Sequence, residues 1–231
     1  SAGFKNIPLN AANKAYHYLC GTRHHNNRDV WVIVKQHPTM SDVWPYMAFK
    51  ITSNGVDTVP VVSPSSIGNH GSSSIEGMMK ISPDGTRLAA TGTYTTAMNI
   101  IVLGEFCQFD KKTGQITPLF LFNPSTANVT AYHIEFSENG NYLYVTGQTN
   151  NYQYLLFQYD ATKTDSASFM ASEVFLGTNC TSMQLASNGK IYINDKGSWP
   201  LSDSMHVINN PDIHGIGCNF QRSVLVFNNQ N

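Results

Sequence analysis

The sequence carries little charge and no long apolar run. Only 13% of its 231 residues are Asp, Glu, Lys or Arg, and the formal net charge is −1. The usual charged fraction is about 25%, so other polar residues must cover much of the surface. A nucleic-acid-binding protein needs a basic patch, and a membrane-spanning helix needs about 20 consecutive apolar residues. We therefore expect neither a nucleic-acid partner nor a membrane span.

The short motifs of common enzymes and metal sites are missing as well. The sequence contains no CxxC pair, no HExxH, no GxSxG and no P-loop. Glu76, Glu105, Glu135 and Glu173 fall at no spacing that favours paired-carboxylate catalysis, and each is expected to be solvated. Ser182 has no base near it and is expected to be an ordinary strand residue. No catalytic residue, metal or cofactor is predicted.

What the sequence does contain is a repeated pattern of strand, turn and strand. Four copies are recognisable, the last being the weakest: KISPDGTRLAATG (80–92), EFSENGNYLYVTG (135–147), QLASNGKIYIN (184–194) and RHHNNRDVWVIV (23–34). Aligned on the turn, Asn27, Gly85, Gly140 and Gly189 take the same position. A repeat of roughly 40 to 50 residues is typical of propeller blades, and the spacing here is close to that.

Each full repeat offers about four short strands and almost no helical periodicity. The pattern therefore predicts an all-β fold, a WD40-like β-propeller built of four-stranded antiparallel blades. The repeats cover about 15–63, 75–123, 131–177 and 180–227 of one domain, 1–231. The third repeat is expected to contain a hairpin over 153–166. Four blades make either a small propeller or part of a larger one, incomplete in this chain.

The four cysteines leave two alternatives open. An even number is compatible with disulfides in an oxidising compartment, and equally with buried free thiols. If one bridge forms, we expect it to join Cys180 to Cys218, because both lie in the last repeat.

A first polar cluster, 23–29, falls on the turn of the weakest repeat. His24, His25 and Asp29 could bind a polar ligand or a metal at the rim of the propeller. The alternative is a structural turn in which Asp29 accepts backbone hydrogen bonds. Neighbouring residues of a strand point to opposite faces, which argues against joint coordination by the two histidines.

A second polar cluster lies in the last repeat, at Asn209, Asn210, Asp212 and His214. Glycan sites combine side-chain amides with an aromatic platform, and Trp199 is close in sequence. The alternative is a turn in which the asparagine side chains bond to their own backbone.

Six segments together carry a family resemblance: HHNNRDVWVIVKQ from His24, GMMKISPDGTRLAATG from Gly77, CQFDKKTGQI from Cys107, IEFSENGNYLYVTG from Ile134, MQLASNGKIYIN from Met183 and VINNPDIHGIGCNF from Val207. In this combination the chain resembles the propeller region of large bacterial cell-surface proteins exported by the type IX secretion system. Those proteins end in a gliding-motility-associated C-terminal domain. The resemblance implies a secreted module on the outer cell surface and implies no catalytic activity.

These observations favour a non-catalytic binding or adhesion module that recognises a polysaccharide or a protein through its loops. Other segments of a larger secreted protein are further candidate partners. One alternative is a propeller lyase or hydrolase whose metal is held by His24, His25, His206 or His214. The other is a structural segment of a larger secreted assembly.

Overall fold

A computed structural model describes residues 15–36, 44–67, 78–95, 100–125, 129–196 and 204–227 of the chain. These residues form four antiparallel sheets, each built from one continuous stretch of sequence. The predicted all-β propeller with four-stranded antiparallel blades is confirmed. We number the sheets blade 1 to blade 4 in chain order.

Blades 1 and 2 comprise the first half of the chain. The strands of blade 1 are β1 (Ala15–Arg23), β2 (Val30–Gln36), β3 (Tyr46–Thr52), β4 (Gly55–Val56) and β5 (Val61–Ser63). Both β4 and β5 pair with β3, so together they form the outermost strand. The strands of blade 2 are β6 (Met79–Ile81), β7 (Arg87–Thr95), β8 (Ile100–Phe109) and β9 (Ile116–Phe122).

Blades 3 and 4 repeat the arrangement. The elements of blade 3 are β10 (Val129–Phe136), β11 (Tyr142–Thr149), β12 (Tyr154–Asp160), the helix α1 (Ser166–Ala171) and β13 (Val174–Thr178). Those of blade 4 are β14 (Cys180–Leu185), β15 (Ile191–Asp195), β16 (Ser204–Ile208), a 3-10 helix (Gly215–Cys218) and β17 (Phe220–Val226). Within each sheet, strands that follow one another in the chain are hydrogen-bonded neighbours.

The turn between the first and second strand of each blade has the same backbone conformation. Asn27, Gly85, Gly140 and Gly189 have φ of 56°, 73°, 74° and 74°. Glycine adopts this left-handed region without penalty, and asparagine tolerates it better than most residues. At Gly85 the turn is also crowded, because an added Cβ would lie 2.4 Å from the Thr22 side-chain oxygen. The alignment of the four repeats thus corresponds to a shared turn geometry.

The first strand of each blade is its innermost strand. Strand β1 packs on β6, β6 on β10, and β10 on β14, so these four strands line the propeller axis. Among the described residues, no packing of blade 4 on blade 1 comparable to these three contacts is found. Hydrophobic clusters fill the spaces between successive blades. Polar side chains on the inner strands are therefore brought together at the axis.

A buried polar cluster ties blade 1 to blade 2. The Lys35 ammonium donates to Ser65 Oγ at 2.8 Å, and Ser65 Oγ donates to the Glu105 carboxylate at 2.7 Å. Glu105 also accepts from the Tyr46 hydroxyl at 2.6 Å and from the Ser66 amide at 2.5 Å. Both Lys35 and Glu105 are 0% exposed. The expectation that Glu105 is solvated is therefore wrong. Its carboxylate is buried, and hydrogen bonds from blade 1 take the place of water.

The expected hairpin over 153–166 is only partly present. Strand β12 occupies its first half, but the chain then forms helix α1 before it returns as β13. Asp165 caps this helix by accepting from the Ser168 amide at 2.9 Å. Phe169 fixes the helix to the sheet, because its fully buried ring stacks on Tyr159 with 4.8 Å between centroids. No helix within the described ranges is long and apolar enough to cross a membrane.

Candidate functional site

Polar side chains from three successive inner strands meet at the propeller axis. They are Lys80 of β6, His133 and Glu135 of β10, and Ser182 and Gln184 of β14. Residues two apart on a strand project to the same side, so each pair on β10 and β14 faces its partner on the neighbouring blade. We call these five residues the axial cluster. It lies where the blades converge, which is a common place for ligand sites in ring-shaped folds.

One layer of the axial cluster is organised around Glu135. Its Oε2 accepts from the Lys80 ammonium at 2.7 Å and from the Leu185 amide at 3.1 Å. The Lys80 ammonium also donates to the Gln184 side-chain oxygen at 3.0 Å. Glu135 is only 5% exposed, so the expectation of a solvated carboxylate is wrong here too. A buried charge needs such partners, and these contacts hold the ammonium of Lys80 at the axis.

The other layer joins a histidine to a serine. His133 Nε2 lies 3.5 Å from Ser182 Oγ, at the outer limit of a hydrogen bond. The His133 ring also packs on Tyr132, with 5.0 Å between ring centroids. Ser182 lies on strand β14 as expected, and the histidine beside its hydroxyl, which the sequence did not indicate, comes from the neighbouring blade.

Blade 1 contributes a thiol near the same axis. Cys20 lies on β1, and burial raises its pKa to about 12, while the charge of Lys80 acts in the opposite direction. The thiol is therefore protonated at neutral pH. A protonated thiol is a poor nucleophile, so Cys20 does not supply one to the axial cluster.

The axial cluster combines the groups needed for acid–base chemistry on a carbonyl compound. An imidazole can accept a proton, and an ammonium can stabilise negative charge that develops on an oxygen. The hydroxyl and the carboxamide can orient a polar substrate. Gln184 is exposed and the Lys80 side chain is 20% exposed, so the cluster is reachable from solvent.

The structure places the first predicted polar cluster on the turn between β1 and β2. His24 Nε2 bonds to the Lys112 carbonyl at 3.2 Å, and His24 Nδ1 accepts from the Asn26 amide at 3.1 Å. The Asp29 carboxylate accepts from the Asn26 side-chain amide at 2.9 Å. His25 is exposed, and its backbone amide donates to the Lys111 carbonyl at 3.1 Å. Hydrogen bonds within the turn and to blade 2 thus occupy His24 and Asp29, whereas the His25 side chain is exposed.

The second predicted cluster lies between β16 and β17 and packs on blade 3. Asn209 accepts from the Lys190 ammonium at 2.8 Å, and the Asp212 carboxylate accepts from the Asn139 amide at 2.9 Å. The exposed His214 ring packs on Tyr142, with 5.8 Å between centroids. Asn210 is exposed, and its backbone joins the loop through the Cys218 carbonyl at 2.9 Å. Trp199, the predicted aromatic platform, lies outside the described residues.

The four histidines proposed as metal ligands are not brought together. His24 and His25 lie on blade 1, whereas His206 and His214 lie on blade 4. His206 is buried in β16, where its Nε2 lies 3.5 Å from the Asp195 carboxylate. No group of three or more His, Cys, Asp or Glu side chains suited to a metal ion occurs in the described parts of the chain. The metal-dependent alternative therefore finds no site among them.

The predicted disulfide is not formed. All four cysteines are free, and both Cys180 and Cys218 are buried in the hydrophobic cluster between blades 3 and 4. Burial raises the pKa of Cys180 to about 12. The Cys180 sulfur faces the Thr178 carbonyl oxygen at 3.4 Å. Of the two alternatives open at the sequence level, the structure has the buried free thiols.

No protein-family model and no curated protein matches the sequence. Among solved structures, the chain resembles a putative 6-phosphogluconolactonase from Bacteroides uniformis at 12% identity and a TM-score of 0.52, covering 96% of this chain and 58% of that one. A periplasmic gluconolactonase from Pseudomonas aeruginosa matches at 14% identity, 91% and 70% coverage, and a TM-score of 0.36. A putative 6-phosphogluconolactonase from Bacteroides fragilis matches at 12% identity and a TM-score of 0.33, covering 82% of this chain and 78% of that one.

At these identities the likeness establishes the fold, and the chain spans little more than half of the B. uniformis protein. The expectation of a non-catalytic binding or adhesion module is nevertheless corrected. The B. uniformis protein, matched at a TM-score of 0.52, is described as a putative 6-phosphogluconolactonase and not as a binding or adhesion protein. Export by the type IX system and a location on the cell surface stay predictions. The chain is thus a propeller with a polar cluster at its axis.

Proposed function

We propose that this chain forms the catalytic part of a propeller hydrolase that opens a sugar lactone at the axial cluster. The observation that carries the proposal is that three successive inner strands present a His133–Ser182 pair in one layer and the Lys80 ammonium, held by Glu135, in the next. The fold likeness to a protein described as a putative 6-phosphogluconolactonase supports it.

In the proposed reaction, the lactone carbonyl oxygen faces the Lys80 ammonium. His133 takes a proton from a water molecule as the water oxygen bonds to the carbonyl carbon. Lys80 stabilises the negative charge that develops on the carbonyl oxygen. The ring carbon–oxygen bond then breaks, and the departing alkoxide takes the proton back from the imidazolium. One water is added, and the product is a hydroxy acid whose carboxyl group releases its proton to solvent.

Glu135, Gln184 and Ser182 act as positioning residues. Glu135 and Gln184 both bind the Lys80 ammonium, at 2.7 Å and 3.0 Å, and hold a long flexible side chain in one place. Such preorganisation is what makes a charge effective in the transition state. Ser182, whose hydroxyl oxygen lies 3.5 Å from His133 Nε2, orients the imidazole ring from the neighbouring blade.

The charge balance of the axial cluster favours an unphosphorylated lactone. Lys80 is its cation, and Glu135 neutralises that charge at ion-pair distance. Recognition of a phosphate group usually needs additional Arg or Lys donors. The cluster offers instead a hydroxyl and a carboxamide, which suit the hydroxyl groups of a neutral sugar lactone.

The test is hydrolysis of δ-gluconolactone, followed by acid release with a pH indicator and corrected for the spontaneous reaction. We expect the protein to accelerate hydrolysis and His133→Gln to lower kcat/KM by about 10²- to 10⁴-fold, the usual contribution of a general base. Lys80→Met should lower it by about 10²- to 10³-fold, as for the loss of an oxyanion donor. His214→Gln, which changes an exposed histidine far from the axis, is the matched control and should leave the rate unchanged.

Two results would reject the proposal. The first is a wild-type rate no higher than the spontaneous rate. The second is hydrolysis that His133→Gln and His214→Gln affect equally, because the reaction would then not depend on the axial histidine.

A further inference from the structure

A polar cavity lies between the turns of blades 1 and 2, away from the axial cluster. Its volume is about 480 Å³, and its walls are the β1–β2 turn, the β6–β7 turn and the turn joining β8 to β9. No residue of the axial cluster lines it. We call this cavity the turn cleft. Its volume falls within the range of roughly 300–1,000 Å³ typical of small-molecule sites.

The walls of the turn cleft are held in place by hydrogen bonds between blades. The Lys111 carbonyl accepts from the His25 amide at 3.1 Å and from the Trp31 indole at 2.9 Å. The Lys111 ammonium donates to the Asp84 carbonyl at 2.9 Å. Three turns are thereby tied to one another. Because these turns are already fixed, ligand binding costs little free energy for ordering the walls of the cleft.

The net charge offered by the cleft is positive. Asp110 is the carboxylate that lines it, but its oxygens accept from the Lys112 amide and the Thr113 hydroxyl, both at 2.8 Å, within its own turn. Those bonds lower the pKa of Asp110, so the carboxylate stays ionised and engaged there. The exposed Lys112 ammonium has no carboxylate at ion-pair distance among the described residues. The exposed His25, from the β1–β2 turn, also lines the cleft.

The remaining lining groups are uncharged and polar. Gln108 and Thr117 are directly opposite each other on β8 and β9, and both are exposed to the cleft. Phe109 is the aromatic residue among the lining groups, and it is only 2% exposed. The lining therefore offers no exposed Phe, Tyr or Trp ring on which a nucleobase could stack. It offers donors and acceptors of the kind that bind several hydroxyl groups at once.

We propose that the turn cleft binds a small sugar acid, a carboxylate that carries several hydroxyl groups. Lys112 and His25 face the carboxylate, and Gln108 and Thr117 face the hydroxyls. The site is separate from the axial cluster, so this binding does not depend on the proposed hydrolase activity.

The test is calorimetric titration of the protein with sodium D-gluconate, with sorbitol as the neutral analogue. We expect saturable binding of one gluconate and at least tenfold weaker binding of sorbitol. Lys112→Ala should weaken gluconate binding about tenfold or more, and Gln108→Ala severalfold. Lys163→Ala is the matched control, because Lys163 lies on another blade and pairs with Asp160 at 3.3 Å. It should leave the affinity unchanged.

Gluconate is also the expected product at the axial cluster, so the two sites must be separated. Binding that survives His133→Gln but not Lys112→Ala supports the turn cleft. Binding lost in His133→Gln and retained in Lys112→Ala would overturn the inference about the cleft and leave the proposed hydrolase standing. Absence of saturable binding at millimolar gluconate, or equal binding of sorbitol, would also overturn it.

Discussion

The buried Lys35 at the interface of blades 1 and 2 gives the protein an unusual expected response to alkaline pH. Burial lowers the pKa of Lys35 from 10.5 to about 8, while the charge of Glu105 opposes the shift. The folded state therefore disfavours the charged ammonium by about 3 kcal/mol, at 1.36 kcal/mol for each pKa unit. Two ring contacts soften this cost, since the ammonium lies 4.6 Å from the Tyr46 ring centroid and 5.4 Å from that of Tyr18.

The sign of the pH dependence follows from proton binding. Between pH 8 and 10.5 the unfolded chain keeps a proton on Lys35 that the folded protein has released. Stability therefore rises with pH in this window, and the gain is lost again as pH falls through about 8. From pH 7 to pH 10 the contribution of this group to the free energy of unfolding should increase by about 2 to 3 kcal/mol.

The measurement is urea unfolding at pH 7 and pH 10. The reference is the double variant Lys35→Met/Glu105→Gln, which removes both buried charges and keeps the side-chain volumes similar. The unfolding free energy of wild type minus that of the double variant should be larger at pH 10 than at pH 7. Lys50→Met is the control, because Lys50 is a partly exposed lysine 3.6 Å from Asp57, and its difference from wild type should stay constant. A wild-type advantage that is flat or falls between the two pH values would refute the reasoning.

Two further predictions concern packing and thiols. Phe169→Ala should lower the unfolding free energy by about 3–5 kcal/mol, because a fully buried ring between blades 2 and 3 is lost. The control, Phe175→Ala, changes a side chain that is 55% exposed and should cost less than about 1 kcal/mol. Equal losses for the two variants in chemical denaturation would contradict the packing of α1. In denaturant without a reductant, Ellman's reagent should count four thiols per chain. It should react slowly with the folded protein, because burial raises the pKa of Cys20 and Cys180 to about 12. Two thiols or fewer in denaturant would mean that a disulfide exists after all.

The sequence was sufficient to predict the propeller because its signals are local. Asn27, Gly85, Gly140 and Gly189 mark turns whose positive φ only a few residue types tolerate, and alternating apolar residues on either side indicate strands. Helix α1 was missed because it spans only six residues. So short a segment carries too little periodicity to be recognised, and its formation depends on burying Phe169 against Tyr159.

The axial cluster could not be read as a site from neighbouring residues in the sequence. His133 and Ser182 belong to different repeats, and only the curvature of the stacked blades brings them within 3.5 Å. One signal was available: Glu135 and Gln184 hold equivalent positions before Gly140 and Gly189. A comparison of the polar residues at equivalent positions of the repeats would have grouped them on the inner strands.

The sequence by itself determined the class of fold and its four repeats, because turn chemistry and strand alternation act between residues close in the chain. The tertiary structure alone decided which charged groups are buried. Glu105 and Glu135 look like ordinary solvated carboxylates in the sequence, yet each is enclosed by partners from another blade. Burial and charge pairing depend on distances through space, and in a propeller those distances are set by how the sheets pack around the axis.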